Sequence, residues 1–264
     1  MHLTDTHCHL DFNSFDDDRA EVLSRALQAG VMRILNPGVD LESSEAAVRL
    51  AESEAQIYAA VGVHPNEAES WQEGALSALE RLSRRSKVVA IGEIGLDYYR
   101  NRARRETQQR VLHQQLDLAA DRNLPVIIHN RNADDDIIGI LCEWQERLEK
   151  RAHPLAQRPG VLHSYSGELA AARMAIAHHF MIGVTGPITF HNANALRGVI
   201  SQVPLENILI ETDAPFLAPH PKRGERNEPA LVKLVAEKLA ELFHLPLATV
   251  AEQTSSNARR VFQW

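Results

Sequence analysis

Eight short, β-rich apolar segments recur along this chain, each followed by a polar stretch with helical patterning. That alternation constrains the fold more than any other feature. The segments lie at 1–7, 31–36, 57–63, 88–92, 126–129, 160–163, 180–184 and 208–211. Helix-patterned stretches fit between them at 16–29, 41–54, 72–85, 104–123, 134–150, 168–179, 192–202 and 228–242, and a last one spans 246–262. The first opens on Asp16-Asp17-Asp18 and stops at Gly30, and the stretch 134–150 opens on acids and ends before Arg151. Helix termini favour these charges and stop signals. Strand–helix alternation implies a parallel sheet. The unbroken apolar run Pro125-Val126-Ile127-Ile128 suits a strand covered on both faces. Eight repeats favour a closed barrel over an open sheet, because closure leaves no edge strand. The expected fold is therefore α/β: a single (β/α)8 TIM barrel with an additional C-terminal helix packed on its outside, forming one domain over 1–264.

That fold would turn scattered polar residues into a cluster, because the C-terminal strand ends of such a barrel converge on one rim. His7 and His9 end the first strand, His64 follows the third and Glu93 the fourth. His129 and His163 end the fifth and sixth, and Asp213 follows the eighth. Alternation along a strand places His7 and His9 on one face and Cys8 on the other. A lone histidine after a strand usually makes an ordinary rim hydrogen bond, and a lone carboxylate usually caps the next helix. Several such groups at the same end of different strands point instead to a metal centre. Four imidazoles and two carboxylates exceed one tetrahedral site and suit two divalent ions bridged by a carboxylate, with Glu93 the best bridge. Asp213 can ligate and also take the proton of an attacking water. Mixed nitrogen and oxygen ligation suits Zn, Mn or Fe(II), whereas Mg prefers oxygen.

Composition bounds what such a centre can act on. A net charge of −7 argues against a broad basic nucleic-acid face but leaves room for a local basic pocket. Cys8 and Cys142 stand far apart in no paired pattern, which suggests a reducing compartment. There is no signal-peptide pattern and no bilayer-length apolar run, so the expectation is a cytoplasmic protein without a membrane partner. No obligate protein partner is evident.

The ordered motifs resemble the TatD family of metal-dependent deoxyribonucleases, within the amidohydrolase-like TIM barrels. They are Asp5-Thr6-His7-Cys8-His9-Leu10-Asp11, Gly62-Val63-His64-Pro65, Gly92-Glu93-Ile94-Gly95-Leu96-Asp97-Tyr98 and Pro125-Val126-Ile127-Ile128-His129. Leu162-His163 with Ser166-Gly167, Glu211-Thr212-Asp213-Ala214-Pro215, Arg223-Gly224 with Asn227 and Pro229, and the terminal Asn257-Ala258-Arg259-Arg260-Val261-Phe262 complete the set. The resemblance implies a divalent-metal nuclease that trims single-stranded DNA, and in some members RNA, from 3′ ends. It assigns one metal to His7, His9, Glu93 and Asp213, and a second to Glu93, His129 and His163. The ions would be Mg, Mn or Zn, with His64 touching substrate beside them and Glu93 and Asp213 acting in catalysis. Two departures bear on substrate detail. Ser164 and Tyr165 stand where the family commonly has Cys and Phe, and Asn130-Arg131-Asn132 keeps the family's Arg but not the acid after it.

Other residues are weighed against plainer roles. Arg100, Arg102, Arg104 and Arg105 after the fourth strand, and Lys222, Arg223 and Arg226 after the eighth, could hold phosphates or form solvated charge clusters. Arg131 joins Arg223 as a candidate phosphate contact, and Tyr98 or Tyr99 could stack a base or simply pack. Glu211 reads as a structural partner in the barrel mouth, and His191 and His220 as secondary contacts. The rival function is metal-dependent hydrolysis of a small amide, ester or lactone, which the acidic net charge would suit. A non-catalytic nucleic-acid binder fits the intact ligand set poorly.

Overall fold

Eight parallel strands follow one another around a single sheet in chain order. They are β1 (Leu3–Asp5), β2 (Val31–Pro37), β3 (Ile57–Val61), β4 (Val88–Asp97), β5 (Val126–Arg131), β6 (Gly160–Leu162), β7 (Met181–Val184) and β8 (Ile208–Ile210). This computed structural model describes residues 2–100 and 102–264; Met1, the first residue of the first expected strand, lies outside them. The ring closes where Thr6 N–H donates to the Ile210 carbonyl at 3.1 Å and Asp213 N–H to the His7 carbonyl at 2.9 Å. The expected (β/α)8 barrel is the fold observed.

The helices are α1 (Arg19–Gln28), α2 (Leu41–Ser53), α3 (Ala75–Leu82), α4 (Arg105–Arg122), α5 (Asp134–Lys150), α6 (Leu169–Ala177), α7 (Asn194–Ile200), α8 (Val232–Phe243) and α9 (Leu247–Phe262). Asp40 caps α2 through a reciprocal capping box with Ser43. The acidic run at 16–18 does not form the first turn of α1 as expected, since the helix starts at Arg19. Asp18 instead pairs with Arg226 at 2.6 Å and Arg25 at 3.2 Å, tying the start of the chain to the loop after β8. Arg226 holds its carboxyl down at about 2.

Two apolar layers hold the barrel. Leu3, Ile34, Ile57, Ile91, Val126, Ile128, Ile182 and Ile208 pack with the helices. Leu35, Ala60, Ala90, Ile127, Val161 and Leu209 form a second cluster with Ala258, Val261 and Phe262 of α9. The last helix thus lies outside the barrel and closes its amino-terminal end. Asn257 Nδ2 donates to the Leu205 and Ile208 carbonyls at 2.8 Å each, fixing it against the start of β8.

β4 departs most from expectation. It runs past Glu93 to Asp97, and its pairing with β5 gains one extra residue between Ile91 and Ile94. Such a bulge re-aims a side chain, and here the extra residue falls at Gly92-Glu93. It also needs Gly95, whose φ is +148° and whose added Cβ would lie 1.9 Å from the His129 carbonyl oxygen.

Candidate metal centre

The seven groups expected as ligands or catalytic residues meet at the carboxyl ends of the strands. His7 and His9 bring their Nε2 atoms within 3.1 Å of each other, while Cys8 between them is buried in the core. Glu93 Oε2 lies 3.4 Å from His7 Nε2 and 3.7 Å from His9 Nε2. Asp213 Oδ1 lies 3.8 Å from each. Donors about 2.1 Å from a tetrahedral ion stand roughly 3.4 Å apart, so these spacings suit one ion. The other Glu93 oxygen, Oε1, faces a different pair: His129 Nδ1 at 2.9 Å and His64 Nε2 at 3.6 Å. One carboxylate therefore faces two separate pairs of histidines. His163 stacks on His7 with ring centroids 3.5 Å apart, brings Nε2 to 3.7 Å from Asp213 Oδ1 and groups with His7 and Glu211, so the expected trio Glu93, His129 and His163 is not brought together as one set.

The donors' own hydrogen bonds fit a metal. His9 Nδ1 donates to the Pro37 carbonyl at 3.2 Å, and His163 Nδ1 to Glu211 Oε2 at 2.8 Å. Each bond leaves Nε2 facing the centre. Two buried ring nitrogens, His7 Nδ1 and His129 Nε2, lack a hydrogen-bond partner among the described residues. Every ion-pair partner of Glu93 and Asp213 among those residues is a histidine, with no lysine or arginine competing. His64 differs. Its Nδ1 accepts the Asn66 N–H at 3.1 Å, so its proton sits on Nε2, making it a donor toward the centre.

Charge states follow from burial and neighbours. Burial, with His163 beside it, holds His7 well below its ordinary value. Burial and His129 push His64 down to about 3. Burial opposes the charge of Glu93, yet His64, His7 and His129 hold its carboxyl well below the usual range. Burial likewise opposes the charge of His163, but Glu211 raises it to about 10. His129 is raised in spite of burial by Asp97 and Glu93. Burial raises Asp213 against the pull of His163 and His9.

Several supports escape a reading of the sequence. Asp5 is fully buried and accepts Thr212 Oγ1–H at 2.6 Å, Thr212 N–H at 2.9 Å and His7 N–H at 3.3 Å, joining the strand ends that carry His7 and Asp213. Burial pushes its carboxyl up to about 8. Asp97 Oδ2 lies 3.4 Å from His129 Nε2. On α4, Gln108 brackets the Asp97 backbone and Gln115 the Val63 backbone, each through one donated and one accepted bond. Two helical turns separate them, so one helix face braces both loops. The one available signal was polar residues at that spacing inside an otherwise apolar face. Glu211, expected as a structural partner, accepts from His163 Nδ1 and from Ser164 N–H at 3.0 Å, and with His7 and His163 it also forms a group that could hold an ion.

Outlying candidates divide. Tyr98 is not brought to the centre: its hydroxyl donates to Asp136 at 2.7 Å and Arg105 covers its ring. Arg131 lies 4.0 Å over the exposed Tyr99 ring, and Arg223 lies 4.5 Å over Phe190. Arg226 is committed to Asp18, and Lys222 to Glu225 at 3.1 Å. His191 and His220, with rings 4.6 Å apart, line a cavity of about 470 Å³ beside Arg197 and Lys238.

A parallel eight-stranded barrel with a histidine- and carboxylate-lined centre at its carboxyl mouth defines a broad class of hydrolase-like barrels. Within that class, the chain belongs to the family described as TatD related DNase, whose model matches residues 4–263. It is 41% identical over 261 residues to the uncharacterized metal-dependent hydrolase YabD of Bacillus subtilis, covering 99% of both chains. It is 34% identical to the 3'-5' ssDNA/RNA exonuclease TatD of Escherichia coli, covering 98% of both. The crystal structure of YjjV, a TatD homologue of E. coli, matches with a TM-score of 0.91 at 36% identity, covering 99% of this chain and 98% of that one.

Proposed function

We propose that this protein is a metal-dependent phosphodiesterase, a 3′–5′ exonuclease on single-stranded DNA and RNA ends that works with two divalent ions, Mg, Mn or Zn. The observation that carries the reading is the division of Glu93, one oxygen toward His7 and His9 and the other toward His129 and His64. His7, His9, Glu93 and Asp213 would hold one ion, and Glu93 and His129 the other, with His163 as the remaining imidazole. All these groups come from one chain, within one TatD-like domain spanning 1–264. Ions held there would acidify a bound water and neutralise charge on the phosphoryl oxygens.

The chain's own groups do the rest. Asp213 reaches the centre as a carboxylate whose pKa burial has raised, which suits it to take the proton of the attacking water. His64, neutral and protonated on Nε2, donates a hydrogen bond to a phosphate oxygen. Asp5 and Glu211 keep Asp213 and His163 oriented. Arg131 and Arg223 supply phosphate contacts from the rim. The two unpaired cysteines suit a reducing, cytoplasmic setting.

The test is a 5′-labelled single-stranded oligonucleotide incubated with metal-stripped protein resupplied separately with Mg, Mn or Zn. A ladder shortening from the 3′ end, absent with Asp213→Ala, is expected. An unchanged substrate with every ion, alongside turnover of small esters or amides, would favour the small-molecule hydrolase.

Metal uptake is also expected to depend on pH. His163 in the metal-free protein keeps both ring protons until about pH 10, and ligation needs a bare nitrogen. Binding at pH 7 should therefore release a proton, and apparent affinity should rise with pH up to that point. For the metal-free fold, the raised value gives stabilisation that is complete below about 6.5 and lost as pH rises through about 10. Calorimetric titration in buffers of different ionisation enthalpy measures the release, and binding with no proton released would contradict this.

A further inference from the structure

The loop after β8 exposes a large aromatic ring beside the metal centre. Phe216 is 52% exposed, three residues past Asp213. Its backbone is held firmly. Asn227, fully buried, donates through Nδ2 to the Phe216 carbonyl at 2.6 Å and the Thr212 carbonyl at 2.8 Å. Phe216 N–H donates to the Asp213 carbonyl at 2.8 Å. The loop also presses on the end of β7, where a Cβ on Gly186 would lie 2.0 Å from the Leu217 carbonyl oxygen. An apolar ring left half in solvent on a fixed backbone forfeits part of its burial.

The ring is one of three in a ladder. Phe12 stacks on His9 with centroids 4.7 Å apart and planes 18° from parallel. Phe216 meets Phe12 edge-on at 6.2 Å and His9 at 6.5 Å. The exposed end of the ladder is therefore adjacent to a candidate ligand of the first ion. Arg223, in the same loop, keeps its guanidinium on the surface over Phe190. A ligand that takes both would carry a flat apolar ring and a negative charge.

We infer that Phe216, backed by Phe12, is a stacking subsite for the nucleobase at the 3′ end of the strand being cut. The inference rests on the nuclease reading above and adds the element that distinguishes a base-bearing end from a bare phosphodiester. Every base has a π-face, so this recognition tolerates any sequence. Phe216 determines specificity and takes no part in the bond-breaking chemistry.

The test compares two 5′-labelled oligonucleotides, one with an ordinary 3′-terminal nucleotide and one ending in an abasic tetrahydrofuran residue. The wild-type protein should process the abasic end with kcat/KM about tenfold lower, the scale of one lost base–aromatic stack. Phe216→Ala and Phe216→Leu should raise KM for the ordinary end by about the same factor with kcat little changed, and should leave the abasic end unaffected. Phe216→Trp should restore the preference. Equal loss on both ends in Phe216→Ala, or full retention in Phe216→Leu, would overturn the stacking role while leaving the nuclease reading intact. A wild-type protein that shortens neither oligonucleotide would overturn both.

Discussion

Glu93→Gln is expected to lower kcat by about 10³-fold or more while leaving the fold intact. The substitution keeps size and shape but replaces one of two oxygens with an amide nitrogen. In the wild-type protein each oxygen faces its own donor group, at 3.4 Å from His7 Nε2 and 2.9 Å from His129 Nδ1. A glutamine can offer an acceptor to only one side and must present N–H groups to the other. The charge lost is real, because the surrounding imidazoles hold this carboxyl well below its usual range against the effect of burial. Losing one transition-state donor or one general base costs about 10²–10⁴-fold in other enzymes, and Glu93 would serve both halves of the centre. Steady-state kinetics at saturating metal, with a thermal melt as the fold control, measures the effect. A kcat within tenfold of wild type would remove Glu93 from the bridge.

Gly95→Ala should fail for a different reason, at the level of the backbone. The residue sits at φ +148° in β4, where it pairs with His129 of β5. An added Cβ would lie 1.9 Å from the His129 carbonyl oxygen and 2.8 Å from its carbonyl carbon. Neither atom is the end of a flexible side chain, so relief requires the strands to part. A cost of at least about 4 kcal/mol is expected, which for a chain of this size lowers Tm by roughly 10 °C. Gly139→Ala is the matched control: it lies within α5 with nothing within 4 Å of an added Cβ, so it should stabilise slightly. A Gly95→Ala variant melting within 2–3 °C of wild type, roughly 1 kcal/mol, would show that this strand pair can open at little cost.

The same glycine marks where sequence reading stops. The eight strands and their order were legible, because continuous apolar runs alternating with helical patterns leave few other arrangements. The clustering of the candidate ligands was legible because a parallel barrel gathers carboxyl strand ends in one place. The bulge that turns Glu93 inward was not, since nothing in Gly92-Glu93-Ile94 announces an extra residue against β5. Asp5 and Asp97 lie inside the strand-end motifs, yet their roles emerge only once Thr212 and His129 lie across from them. Arg226 looked like a phosphate contact because its partner, Asp18, is more than two hundred residues away. Phe216 carried no signal either: an aromatic residue after Pro215 reads as packing until its exposure and its distance from His9 are known.

If the Glu93 carboxylate holds two ions together, as proposed, counting ions is the most direct test. Metal-stripped protein would be reloaded with Zn or Mn, freed of excess, and its metal measured per chain by mass spectrometry, alongside His129→Ala and Glu93→Gln. Two ions per wild-type chain are predicted, one in His129→Ala, and fewer than two with lowered affinity in Glu93→Gln. A fully active wild-type protein carrying a single ion, with the same count in His129→Ala, would contradict the bridged centre.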